Sequence, residues 1–225
     1  MHHGDARTLH AVPDPTAASV TFFFDPLCPW TWVTSRWLVD VADRRGFPLE
    51  WRALSLALLH AGDGGSSAVT ATGPVAVGHA FLRITEYLAA EHEFAASGRF
   101  YREWGARVHD GGASPTVAVL EDAARGADLS RRIRHAARDP QLDLAVRRAT
   151  ERAAARAGPD VGSPVLVPPG ATRGVFGPIM TSPPTGDDAL DLWDAVATFT
   201  ALDSVYELKH GRPRRTPDGA VSRSA

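Results

Sequence analysis

The chain of 225 residues contains one cysteine, Cys28, and one lysine, Lys209. A single cysteine excludes an internal disulfide and a multi-cysteine zinc site, so redox chemistry at this thiol needs a second molecule. Charge of neither sign prevails: 24 basic against 26 acidic residues leave a formal net charge of −2. That balance removes the electrostatic argument for nucleic acid or an anionic membrane as partner. The scarcity of lysine beside abundant arginine and alanine reads as genomic composition. No apolar run has the length of a transmembrane helix, and there is no glycine-rich dinucleotide fingerprint or phosphate loop. The nine histidines show no metal-ligand spacing, and His2, His3 and His10 fall in a polar leading stretch, so no metal is expected. That stretch, Met1 to Ala18, lacks the basic start and apolar core of a signal peptide. A flexible segment over 1–18 and a cytoplasmic location are the expectations.

What is present is a globular pattern, 44% hydrophobic, with a core large enough for one elaborated domain or two small ones. Val20 to Phe24 is a short apolar, β-prone run, and Asp25-Pro26-Leu27-Cys28-Pro29 breaks it. Pro29 suits the first turn of a helix, where its missing N–H costs nothing. Trp30, Val33, Trp37 and Val41 then form one helical stripe, closed by Gly46 and Pro48. Leu49, Trp51 and Ala53 alternate with Glu50 and Arg52 as a second strand. Strand, helix and strand in this order predict a βαβ unit.

From 59 to 157 the pattern is helical. Gly62 to Gly73 reads as a loop; Val77, Phe81, Ile84 and Leu88 follow helical spacing, as do Phe100, Trp104 and Val108. Ser114-Pro115 and Asp139-Pro140 each read as a cap with a first-turn proline. Strand signals return at Pro164–Val167 and Gly174–Phe176, with a turn at Pro168-Pro169-Gly170 between them. Asp187 is the expected cap of a last helix carrying Leu190, Trp193 and Val196. The tail over 211–225 is rich in Arg, Pro and Ser and is expected to be disordered. The expected organisation is therefore an α/β fold from 19–58 and 158–210, interrupted by a helical insertion over 59–157.

Cys28 stands between a predicted strand and a predicted helix. Unpaired N–H groups and the positive end of a helix stabilise an anion there, and thiol pKa values in such places fall from about 8.5 to about 3.5–7.5. Thr31 lies three residues on, where its hydroxyl is expected to donate to the sulfur. A buried cysteine that only packs is the other reading, and position alone does not choose between them. Trp30 is expected to line a ligand groove and Trp32 to pack. Arg131-Arg132, Arg134 and Arg147-Arg148 read as a solvated basic face.

The segment Phe24-Asp25-Pro26-Leu27-Cys28-Pro29-Trp30-Thr31-Trp32 resembles the active site of the DsbA-like branch of the thioredoxin superfamily, and within it the actinobacterial mycothiol-dependent nitroreductases. Further stretches resemble that family: Leu54 to Leu59, Gly73-Pro74-Val75, Val108-His109, Val161 to Pro164, Phe176-Gly177-Pro178, Leu192-Trp193-Asp194 and Tyr206 to Lys209. The resemblance implies a thioredoxin-like fold with a helical insertion and a cytoplasmic oxidoreductase. It implies mycothiol, or another low-molecular-weight thiol, as cofactor, and an electrophilic small molecule as substrate. Cys28 matches the nucleophile, with Pro29 and Trp30 beside it. Pro164 matches the cis-proline that turns the preceding backbone toward the sulfur, so that Ser163 pairs with a bound thiol or peptide. His109 falls where the family carries a histidine, in the insertion that roofs the site. A ligand contact or proton donor is one reading of it and a capping or surface group the other.

The family has a second cysteine where this chain has Thr31. Without it the mixed disulfide cannot be resolved internally. Three possibilities follow: a monothiol cycle in which a second thiol molecule releases the first; a kappa-glutathione-transferase-like transferase or isomerase, in which Cys28 orients a cofactor thiol; or a non-catalytic thiol- or peptide-binding protein.

Overall fold

The structure, a computed structural model, describes residues 19–61, 72–129 and 133–211. The expectations for the stretch 1–18, for the loop over 62–71, for Arg131-Arg132 and for the tail beyond 211 lie outside the described residues. Within them, strand β1 (Val20–Phe24) leads through helix α1 (Pro29–Arg45) to β2 (Leu49–Ala53). β1 and β2 are parallel, with Phe22 opposite Trp51 and Phe24 opposite Ala53. Parallel neighbours need a crossover, which α1 supplies. The helix begins at Pro29, with Cys28 in extended conformation as N-cap, and ends where Gly46 turns left-handed (φ 74°) and its N–H meets the Ala42 carbonyl.

Helices α2 (Leu56–His60), α3 (Gly73–Ala90), α4 (Phe94–Gly105), α5 (Val117–Gly126), α6 (Ile133–Ala136) and α7 (Leu142–Ala157) follow. α4 widens into one π-type turn over Ala106–Asp110. The chain then returns as β3 (Val165–Val167) and β4 (Val175–Phe176), and ends in α8 (Asp187–Ala201). The sheet order is β2-β1-β3-β4, with β3 antiparallel to both β1 and β4. No helix among the described residues is long and apolar enough to cross a membrane.

The alternation of β1 sorts its side chains. Phe22 and Phe24 lie on one face, where Trp51 meets both rings edge-on, and Phe81 and Tyr101 of α3 and α4 close on Phe24. Phe23 points the other way, into a cluster with Leu54, Ala153 of α7, Val165 and Val167. The insertion is therefore anchored on both faces of the strand that ends at the site. One buried ion pair fixes the sheet edge: Glu86 of α3, 4% exposed, accepts from the Arg52 guanidinium at 2.7 Å and from the Ala53 backbone N–H at 2.8 Å.

Several local expectations shift. On α1 the buried face runs through Thr31, Trp32, Thr34, Ser35, Trp37, Leu38, Val41 and Ala42, so Trp30 and Val33 sit at its margin. Thr31 is buried against Ser163 and Trp32 against Gly105, which widens the face beyond the expected stripe. α5 is capped by Thr116, whose hydroxyl accepts from Val119 N–H, two residues after the expected Ser114-Pro115 start. Asp139 caps a turn, accepting from Gln141 N–H at 2.9 Å, and α7 begins only at Leu142. α8 is capped by Gly186 (φ 63°), leaving Asp187 and Asp188 in the first turn, where their charge suits the helix dipole. Val108 lies in the π-type turn and not in α4 proper.

Gly105, the last residue of α4, lets α4 approach α1: a Cβ there would fall inside the van der Waals envelope of the Trp32 ring. Gly105→Ala is expected to destabilise the protein by about 1–3 kcal/mol through overpacking, read as a lowered denaturation midpoint; an unchanged midpoint would show that Trp32 is free to move.

Candidate functional site

The end of β1, the start of α1 and the entry to β3 converge on Ser163. Its hydroxyl accepts from the Asp25 backbone N–H at 2.8 Å and pairs with the Thr31 hydroxyl at 2.8 Å. Its carbonyl lies 3.5 Å from the Cys28 sulfur, which donates its S–H. The Ser163–Pro164 peptide is cis. Cys28, Thr31, Ser163 and Pro164, singled out in the sequence, are thus brought together. One expectation is corrected: the Thr31 hydroxyl is held by Ser163 and not by the sulfur. Thr31 occupies the third position of α1, completely buried, and its nearest polar neighbour there is the Ser163 side chain.

Cys28 is only 7% exposed, so a reagent must reach it through a defined opening. That opening is a cavity of about 380 Å³ bounded by Asp25, Leu27, Cys28 and Pro29, by Ser55 to Ala57 and His60 at α2, and by Val75, Gly78, His79 and Leu82 of α3. A larger cavity, about 600 Å³, lies at Arg45, Phe47, Pro168 and Trp193 and contains none of the expected site residues. Pro29 is exposed at the mouth of the smaller one, and Trp30 is half-buried on the first turn of α1.

Asp25 is a site residue that the sequence reading missed. It is 6% exposed, and its two carboxylate oxygens accept from Leu27 N–H and from Leu56 N–H, each at 2.8 Å. The first bond shapes the loop before Cys28; the second fixes the start of α2, which forms another wall of the cavity. Burial pushes the carboxyl above the usual aspartate range, and the two N–H groups, with His60 nearby, oppose that shift. In sequence, Asp before Pro reads only as a turn; its second partner is 31 residues away.

His109 roofs the loop from the π-type turn of α4. Its Nε2–H donates to the Pro26 carbonyl at 2.9 Å, which also accepts the Trp104 indole N–H at 2.9 Å. The ring stacks on Trp32, whose own N–H reaches Asp110 at 2.7 Å and whose ring also carries the Arg36 guanidinium. Trp32 thus packs, as expected, and His109 holds the loop before Cys28 through the Pro26 carbonyl; it is not among the residues that line the cavity. Burial lowers the His109 pKa below its ordinary value, against the opposing effects of the Pro26 bond and Asp110. Among the described residues no group of three or more ligating side chains is arranged to hold a metal.

Comparison with known proteins places this geometry. The profile of the family described as Rv2466c-like, mycothiol-dependent nitroreductase Rv2466c, matches residues 27–210. The uncharacterized protein Rv2286c of Mycobacterium tuberculosis is 32% identical over 207 residues, covering 89% of this chain and 84% of the relative. Among solved structures, a 2-hydroxychromene-2-carboxylate isomerase superposes with a TM-score of 0.55 at 14% identity, covering 80% of this chain and 94% of that one. The probable DsbA oxidoreductase SCO1869 of Streptomyces coelicolor gives 0.51 at 18% identity, covering 92% of this chain and 100% of that one. At such identities these two speak to the fold alone, which is thioredoxin-like and DsbA-like with a helical insertion.

The His109 shift fixes a pH dependence. Its pKa in the folded protein lies below that of the unfolded chain, so on acidification through about pH 6.5 the unfolded chain binds the proton first. The stability present above that pH is therefore lost as pH falls. Between pH 7 and pH 5 the denaturation midpoint is expected to fall less steeply in His109→Gln than in the natural chain; His79, shifted in the same sense, contributes equally to both. Parallel slopes would contradict the assignment.

Proposed function

The chain belongs to the Rv2466c-like family of mycothiol-dependent nitroreductases, and from that premise we propose that it is a monothiol oxidoreductase in which Cys28 exchanges with a low-molecular-weight thiol. The observation that carries this reading is the placing of the Cys28 sulfur at the first turn of α1, in the wall of a cavity and beside the Ser163 carbonyl. The cavity gives a small thiol access to that sulfur.

Because Thr31 replaces a resolving cysteine, two thiol molecules complete the cycle. The first joins Cys28, which reacts as its thiolate and is regenerated as such in the second step, in a mixed disulfide, releasing two electrons and the small thiol's proton to an electrophilic acceptor. The second thiol then attacks the sulfur of the first. Its proton is released, a small-molecule disulfide leaves, and the electron pair of the broken bond returns to Cys28. In sum two thiols become one disulfide, with two electrons and two protons passed on. A nitroaromatic acceptor takes these up as it becomes a nitroso compound and water.

The insertion helix α3 forms one wall of the cavity and the thioredoxin-like loops the others, so the acceptor binds between them. Pro29 lines the cavity beside Cys28; Trp30, Ser163 and Pro164 are assigned to the bound thiol on this reading, and His109 and Thr31 support the loop and the Ser163 hydroxyl. The kappa-transferase-like reading, in which Cys28 only orients a cofactor thiol, shares the missing second cysteine but predicts no covalent adduct.

Cys28→Ser is expected to reduce mycothiol-dependent turnover of a nitroaromatic to background with the fold intact; full activity would overturn the reading. In Thr31→Cys the introduced thiol is expected to expel mycothiol from the adduct. Intact mass would then show the protein two mass units lighter instead of carrying mycothiol. A persistent adduct would show that position 31 cannot reach the sulfur.

A further inference from the structure

His79 lies on the apolar face of α3, between Val77 and Phe81, and is 5% exposed. Its Nε2 is 2.8 Å from Asp143 Oδ1 of α7. Arg83 grips the same carboxylate with Nε at 2.5 Å and Nη2 at 2.9 Å, and donates through Nη1 to the Ala137 carbonyl. An aspartate so paired is ionised, and its pKa is lowered by Arg83 and His79 against the cost of its own partial burial. It therefore accepts the His79 Nε2–H and fixes the ring in the tautomer whose Nδ1 carries a lone pair. That Nδ1 is buried and has no hydrogen-bond partner among the described residues. Burial also keeps the ring neutral, lowering its pKa against the pull of Asp143.

The same histidine forms part of the wall of the cavity that holds Cys28. The other buried polar groups of that wall are committed: both Asp25 oxygens accept backbone N–H groups, and the Ser55 hydroxyl caps α2. Gly78 admits the Leu27 side chain against α3, since a Cβ there would sit 2.7 Å from Leu27 Cδ1. The loop bearing Cys28 is thereby drawn onto the turn of α3 that carries His79. An acceptor with no partner among the described residues, oriented by a carboxylate and carried by a residue that lines the same cavity as Cys28, matches a missing step of the monothiol cycle. The second thiol arrives largely protonated at neutral pH and must lose its proton to attack.

Resting on the reading of Cys28 as an exchanging thiol, we infer that the Asp143–His79 pair is the proton acceptor for the small thiol that releases the Cys28 mixed disulfide. The entering S–H gives its proton to Nδ1, and its sulfur bonds to the outer sulfur of the adduct. The Cys28 S–S bond breaks, with its electron pair returning to Cys28. Asp143 stabilises the imidazolium so formed, and the proton passes to water when the disulfide leaves. In reverse, the same imidazolium protonates the thiolate expelled when Cys28 attacks a disulfide.

That symmetry gives the test. At pH 7, the rate at which mycothiol disulfide adds to Cys28 and the rate at which mycothiol removes the adduct are followed by intact mass. Iodoacetamide alkylation of Cys28, which hands over no proton to a leaving thiolate, is measured beside them. His79→Leu is expected to slow addition and removal by the same factor, about tenfold or more, and to leave alkylation within about twofold. His79→Gln keeps an N–H for Asp143 but offers no basic nitrogen, and is expected to show the same fall. Addition and removal at the natural rates in either variant would overturn the inference, and so would an equal loss in alkylation. If the natural chain itself forms no adduct, it is the monothiol reading that fails.

Discussion

Ser163 is the point on which the site depends. It joins segments 132 to 138 residues apart in the chain, through its hydroxyl to Asp25 and Thr31 and through its carbonyl to the Cys28 sulfur. The β1–β3 ladder already pairs Phe23 with Val165; Ser163 extends that link to Asp25 and to the first turn of α1. The hydroxyl is shared between a backbone donor and a second hydroxyl in a buried setting, where losing one partner leaves another unsatisfied, at a cost of about 1–3 kcal/mol. The arrangement closes a fold whose sheet is split in sequence by the long helical insertion.

Around that link, the loop Asp25 to Cys28 is held from three directions. Asp25 accepts from within the loop and from the start of α2. The Pro26 carbonyl is gripped from α4 and its π-type turn by Trp104 and His109, and Leu27 rests on Gly78 of α3. The insertion therefore does more than cover the sheet: it fixes the loop whose last residue is the thiol, and contributes α3 as the far wall of the cavity. A thiol held in this way offers one approach direction, the cavity, to a reacting sulfur, which is what disulfide exchange with its in-line attack requires.

Much of this was legible in the sequence, for a physical reason. β1, α1 and β2 announce themselves because strand alternation, a first-turn proline and a C-terminal glycine are local signals, and the helix start locates Cys28 without knowledge of anything distant. The apolar stripe Val77, Phe81, Ile84 and Leu88 is found buried as its spacing requires. What sequence could not show are the pairings across the chain. The Thr31 hydroxyl had no visible alternative to the nearby sulfur until Ser163 was placed beside it. His79 sits in an apolar helical stretch, and its carboxylate partner is 64 residues away. Caps were misplaced at Ser114-Pro115 and Asp187, where a neighbouring Thr116 or Gly186 took the role. His109 had two readings in sequence, a ligand contact or a capping or surface group, and its partner, the Pro26 carbonyl, lies 83 residues away.

The central claim, that Cys28 is an exchanging thiol and not a packed one, is tested most directly by treating the folded chain with mycothiol disulfide and weighing the intact protein. The site described here predicts a single adduct of one mycothiol, mapping to Cys28 and removed by mycothiol. No adduct on the folded chain, under conditions in which the denatured chain is fully modified, would make Cys28 a structural residue and contradict the proposal.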